Sequence, residues 1–251
     1  MQTSWGQGWL ALWSMVPRLF RSPFIFVASK KKVDAMNEES LRTCQRKNIP
    51  LTVLLHGFLG DYLAPYWALR QLKQGGVPVA SLGYDYRTDV ATMAEQVKTQ
   101  IDAIRARTGI EKINLVGISL GGSVARYYVE KLGGKDIVHK LVTIFTPVLT
   151  RTSSRFDRAF LLHSLVNRPA AELSLEQLDT IKDCFSAKQH LALYGTKDWI
   201  VDRKAYPLQN VPASVSHIVV SGGHLLVSYD ADVFKLTLEY LRDKVNFNKT
   251  S

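Results

Sequence analysis

The stretch GISLG places Ser119 midway between Gly117 and Gly121. A serine hydroxyl is a poor nucleophile until a base takes its proton, and that base must be oriented and its charge balanced by an acid. Both partners follow downstream. Asp198 closes the run HLALYGTKD, and His224 closes SHIVVSGGH, so the chain order is serine, acid, histidine. Asp202 competes for the acid's role four residues on, but Asp198 follows its apolar run directly. Upstream, HGFLG (56–60) ends another apolar run with a glycine turn. Such a turn can aim the backbone N–H of Phe58 into the space above Ser119, with the N–H of Leu120 as a second donor to a developing oxyanion. His56 reads as a side chain that braces this loop. His139, His163, His190 and His217 gain no role, and no HxxxH or HxH pairing suggests a metal site. The expected chemistry needs no cofactor.

These groups work only if the chain holds them at one level. LTVLL (51–55), PVASLGY (78–84), INLVG (113–117), KLVTIF (140–145), HLALYG (190–195) and SHIVVSG (216–222) read as buried strands. Helices are expected over Asp61–Gln74, Asp89–Arg107, Leu120–Leu132 and Ala231–Val245. In the second of these, Val90, Met93, Ala94, Val97, Ile101 and Ile104 recur at helical spacing and define an apolar face. Alternating strand and helix implies an α/β class with a mostly parallel sheet covered on both faces. Ser119 then stands at a strand-to-helix junction. Gly117 and Gly121 permit the sharp turn there because a Cβ at either place would strike the neighbouring element. All the candidate groups follow strand ends, where open α/β sheets carry their sites.

On these residues the sequence resembles the α/β-hydrolase superfamily, and within it the bacterial serine lipase and esterase branch with an HG-type oxyanion loop. The resemblance spans about residues 50–245 and rests on HGFLG, GISLGGSVARYYVEKLGG, LVTIFTP, YGTKDWIV and GGHLLV. It implies an α/β-hydrolase fold with a small helical cap. It also implies Ser119 as nucleophile, Asp198 as orienting acid, His224 as general base, and Phe58 and Leu120 as backbone donors. The family usually has a small residue, histidine or glycine after the Thr-Pro that is Thr146-Pro147 here; Val148 stands there instead, on the pocket wall. The function expected is a serine carboxylic-ester hydrolase that forms an acyl-enzyme with apolar acyl esters or lipids. An acyltransferase or thioesterase with the same triad is the alternative. A non-catalytic acyl-binding relative would normally have lost a triad member, and none is missing.

Residues 50–251 are read as the hydrolase domain and 1–49 as a helical extension. Between Val148 and Lys188 about forty residues separate two strands, too long for an ordinary loop, and they read as a helical cap. Its AFLLHSLV segment suits either an acyl chain or packing on the core, and Phe160 and Leu161 are the residues expected to touch substrate. Near the amino terminus Trp5, Trp9, Leu12, Trp13, Val16 and Phe20 would share one helical face, followed by Arg18, Arg21 and Lys30–Lys32. Residues 1–32 therefore suit either peripheral contact with an anionic membrane or docking on the protein body.

The net charge of +10 comes with no zinc-finger spacing, no RNP-like motif and no basic run beyond Lys30–Lys32, so no nucleic-acid partner is expected. No uninterrupted apolar stretch reaches the ~18–20 residues of a membrane span. The first seventeen residues lack the basic region and cleavage site of a signal peptide, which favours a cytoplasmic or peripheral-membrane location. Cys44 and Cys184 are far apart, leaving either one bridge or two thiols.

Overall fold

The computed structural model describes residues 29–146, 157–198, 200–201, 212, 214–224, 227 and 230–244, with side chains described from 164 onward in the segment that starts at 157. Among the described residues six strands form the sheet: β1 (Leu51–Leu55), β2 (Val79–Leu82), β3 (Ile113–Ile118), β4 (Val138–Ile144), β5 (His190–Gly195) and β6 (Val215–Val220). Their order is β2-β1-β3-β4-β5-β6, and every pairing is parallel. All six expected runs are strands, with ends displaced by a residue or more in most of them. β4 starts earlier than its apolar run because Val138 pairs with Ile113 ahead of a register shift.

Side chains alternate between two packed layers, as the pleat requires. Leu51, Val53 and Leu55 of β1 face one layer, which α3 (Val90–Thr108) and α4 (Leu120–Lys131) cover. Leu54 faces the other, beneath α2 (Tyr66–Gln74) and α6 (Ala231–Leu241). The apolar face read in the sequence is the buried face of α3, from Val90 to Ile101. Asp89 caps that helix by accepting from the N–H groups of Ala91 and Thr92, each at 3.1 Å. Helix α2 starts later than its pattern suggested. The Asp61 carboxylate accepts from the N–H groups of Leu63 and Ala64 in a tight turn, and Pro65 disfavours helical backbone just before it.

Helix α1 (Lys30–Lys47) lies in the segment that the sequence set apart. It is built into the body: Val33 joins one core layer, while Leu41 and Cys44 join the other. It also covers the edge strand β2. The Asn37 side chain accepts from the Ser81 N–H at 3.0 Å and donates to the Ser81 carbonyl at 3.1 Å, replacing a neighbouring strand. Both cysteines are free, and burial pushes the Cys44 thiol up to about 12. Residues 1–28, with the tryptophan-bearing face, lie outside the described residues. Lys30 and Lys32 are exposed; Lys30 pairs with Asp34 at 2.7 Å within α1, and the two ammonium groups stand 5.7 Å and 5.3 Å from the Tyr62 and Tyr66 ring centres.

The long connection after β4 does contain a helix, α5 (Asp157–Asp179), broken at Asn167. Asn167 has extended backbone, and its side chain accepts from the Ala170 N–H at 3.3 Å. It thus caps a second helical piece whose first turn holds Pro169, where a missing N–H costs nothing. That piece rests on the start of α3. Ser174 Oγ accepts from the Val90 N–H at 3.0 Å, and Gln177 bridges the Ala91 N–H and the Asp89 carboxylate. Beyond it, the buried Arg126 guanidinium on α4 donates to the carbonyls of Ile181, Lys182 and Cys184.

Candidate active site

The sheet order reverses between β1 and β3. β1 leads outward to β2, while β3 leads the other way to β4. A crevice opens beyond the carboxyl ends of strands at such a switch point. Leu55 pairs with Gly117, so the HGFLG turn and the serine turn leave the sheet at the same height.

Ser119 follows β3 and caps the start of α4 with φ 53° and ψ −119°. That conformation is sparsely populated for a residue with a side chain and costs on the order of 1–3 kcal/mol. Close contacts impose it. A Cβ on Gly117 would fall within the backbone of Gly121, and one on Gly121 would lie 2.5 Å from the His56 carbonyl oxygen. The serine N–H donates to the Ile144 carbonyl at 2.8 Å, which ties the turn to β4.

Three side chains meet there. Ser119 Oγ lies 2.7 Å from His224 Nε2, and His224 Nδ1 lies 2.8 Å from Asp198 Oδ2. A carboxylate only accepts, so the imidazole proton sits on Nδ1 and Nε2 is left to accept from the serine hydroxyl. Asp198 is held in turn. Its Oδ1 accepts from the N–H groups of Ile200 and Val201, each at 2.9 Å, and its carboxylate has no solvent exposure. Asp202, the competing acid, lies outside the described residues.

The loops that carry acid and histidine approach because β5 and β6 continue pairing past their ends. The N–H of Thr196 donates to the Val220 carbonyl at 2.9 Å, and that of Lys197 to the Gly222 carbonyl at 3.1 Å. Phe145, buried at φ 52°, fills the space between these loops; its ring is 6.1 Å from that of His224.

The HGFLG turn folds against the serine. A Cβ on Gly57 would stand 3.4 Å from Ser119 Cβ. The buried His56 braces the loop, with Nδ1 2.8 Å from the Gly57 carbonyl oxygen. Phe58 packs edge-on against Tyr86 at 5.2 Å. Leu120 opens α4, where the first N–H groups have no acceptor within the helix. Among the other predicted residues, Val148 lies outside the described residues, as do the side chains of Phe160 and Leu161.

Two contributors were missed in the sequence. Gly122 admits the Thr146 side chain, which would overlap any Cβ there, and Thr146 Oγ1 donates to the Ser119 carbonyl at 3.1 Å. The signals available were the doubled glycine after Leu120 and the Thr-Pro that ends the β4 run. No group of His, Cys, Asp and Glu able to hold a metal occurs among the described residues.

Residues 50–168 match the family model described as the alpha/beta hydrolase fold. Together with the parallel sheet of six described strands and its flanking helices, this gives the protein an α/β-hydrolase fold. Several solved structures are similar. A meta-cleavage product hydrolase from Pseudomonas fluorescens is 16% identical with a TM-score of 0.55, over 78% of this chain and 92% of that one. A metagenome-derived lipolytic enzyme is 12% identical with a TM-score of 0.58, over 77% and 94%. The monoacylglycerol lipase of Paleococcus ferrophilus is 18% identical with a TM-score of 0.55, over 78% and 95%. At these identities the likeness is one of fold. Comparison with curated proteins finds no match.

Proposed function

We propose that this protein is a serine carboxylic-ester hydrolase that acts on apolar acyl esters through an acyl-enzyme. The supporting observation is the unbroken hydrogen-bonded chain from Ser119 Oγ through His224 to the buried Asp198 carboxylate. In the first half-reaction His224 Nε2 takes the serine proton as Oγ bonds to the ester carbonyl carbon. The negative charge moves to the carbonyl oxygen, where the N–H groups of Phe58 and Leu120 receive it. As the tetrahedral centre collapses, the imidazolium returns its proton to the departing alkoxide. Water repeats these steps on the acyl-enzyme, with the same base, and releases the acid. Asp198 holds His224 in the Nδ1–H tautomer and balances the transient imidazolium. Lipolytic neighbours by fold support the choice of an acyl ester, as do the exposed Leu165 and Val166 on the insertion.

The deciding experiment combines a fluorophosphonate label with hydrolysis of acyl esters of graded chain length, run with and without alcohol or amine acceptors. Ser119 should carry the label. Ser119→Ala should remove it and lower ester turnover by about 10⁶-fold. A folded Ser119→Ala protein with undiminished turnover refutes the reading, and product that forms only with an added acceptor replaces hydrolysis by acyl transfer.

A further inference from the structure

Tyr84 and His56 follow the ends of the adjacent strands β2 and β1. Both are buried, with exposures of 8% and 1%. Their rings stack at 4.1 Å with 12° between the planes. The Tyr84 hydroxyl donates to the His56 carbonyl, and the Tyr84 N–H points to His56 Nε2 at 3.4 Å. Nε2 is therefore the acceptor, and the single proton of the neutral ring sits on Nδ1. Burial favours that neutral form by holding the His56 pKa below its ordinary value. The Nδ1–H donates to the Gly57 carbonyl at 2.8 Å.

The Gly57 carbonyl and the Phe58 N–H belong to one planar trans peptide unit, so they point in opposite directions. Holding the carbonyl toward His56 turns the N–H to the far side of that plane. We propose that Tyr84 is a positioning residue: by fixing the tautomer and plane of His56, it fixes the direction of the Phe58 N–H offered to the oxyanion. This rests on the reading of Phe58 as a backbone donor. In the other tautomer the Nδ1 lone pair would face the Gly57 carbonyl oxygen, and their repulsion would rotate the peptide unit away. Gly60 leaves room for the arrangement, since a Cβ there would lie 3.1 Å from His56 Nδ1.

Three variants test this in ester hydrolysis, each with its melting temperature. His56→Leu removes the donor to Gly57 and should lower kcat by about 10²-fold with KM nearly unchanged, the cost of a misdirected oxyanion donor. His56→Asn places an amide N–H close to the Nδ1 position and should restore kcat to within about tenfold of wild type, the worth of one hydrogen bond. Tyr84→Phe keeps the ring and the backbone N–H and should lower kcat by about tenfold or less through loss of the hydroxyl bond. If Leu and Asn at position 56 cost kcat equally, or Tyr84→Phe changes only KM or melting, packing explains the pair and the proposal is overturned. Nitrogen NMR of the histidine rings in the full chain, with His56→Asn for assignment, gives a readout that needs no turnover. It should find His56 with Nδ1 protonated, and an Nε2–H ring overturns the proposal even if Ser119 proves to be the nucleophile. A protein that takes no fluorophosphonate label at Ser119 and hydrolyses no ester overturns the functional reading, and the positioning role falls with it.

Discussion

The serine turn and the second piece of α5 are held by opposite means. Around Ser119, backbone meets backbone: Gly121 against the carbonyls of Leu55 and His56, and the serine N–H on Ile144. The helical insertion touches the body through side chains, namely Asn167 to Arg87, Ser174 and Gln177 to the start of α3, and Arg126 to its far end. Its Leu165, Val166 and Leu173 are exposed, at 59%, 45% and 44%. Backbone contacts at van der Waals distance leave no room for a different residue, whereas an insertion held by side chains can change its outer face without moving its seat. Such a division lets the turn stay fixed while the outer surface of the insertion varies.

If that contrast is right, perturbations at the two places should separate cleanly. After Ser119→Ala, the largest effect belongs to Asp198. Asp198→Asn should lower kcat by about 10⁴-fold with the melting temperature little changed, because the amide favours the wrong imidazole tautomer. A smaller loss than that caused by Asp202→Asn would transfer the acid's role to Asp202.

Acid should destabilise the fold through a histidine buried in the sheet. His190, wholly buried beside Arg126, is pushed down to about 3 by burial first and by that cation second, and its Nε2 meets Thr143 Oγ1 at 2.9 Å. Its folded value lies below the unfolded value of about 6.5, so the unfolded chain binds the proton more readily. The stability it contributes is full above about pH 6.5 and is lost as pH falls toward 3, at up to about 1.4 kcal/mol per pH unit. Burial lowers His56 and His139 as well, with the same sign. Chemical denaturation between pH 7 and 4 should show this slope, and His190→Gln should flatten it; an unchanged slope in that variant would place the proton uptake elsewhere.

Gly121→Ala comes next. Its Cβ would meet two backbone oxygens that cannot move independently, so a loss of about 3 kcal/mol in stability is expected. The smallest effects should lie on the insertion. Arg126→Met, on the body side, leaves the carbonyls of Ile181, Lys182 and Cys184 just past α5 without their buried donor and should cost about 2 kcal/mol, whereas Leu173→Ser on the open face of α5 should stay within about 0.5 kcal/mol. Thermal melts would measure all three. A Leu173→Ser loss as large as that of Gly121→Ala would mean that the insertion is as tightly packed as the turn.

The insertion also marks where reading from sequence stopped. Its helical character was visible, but the break at Asn167 was not, because the residue gains its extended backbone by capping the next turn and reaching Arg87. Helix α1 was set apart for want of a strand-helix rhythm. Its reason for being there is Ser81, whose edge-strand backbone Asn37 satisfies across 44 residues of chain.

What the sequence by itself determined was whatever depends on near neighbours. Gly117 and Gly121 flank Ser119 within one turn, the α3 face repeats within one helix, and each strand declares itself by a short apolar run. Even the order of serine, acid and histidine could be read, because each ends or follows such a run. Tertiary structure decided which strand ends stand side by side. The order β2-β1-β3-β4-β5-β6 brings Thr146 under Ser119, Tyr84 onto His56, and the Asp198 loop against His224. Those pairs are distant in sequence and share no periodic signal. Their partners are selected by which strands pair and in what register, a property of the whole sheet that no local stretch of chain records.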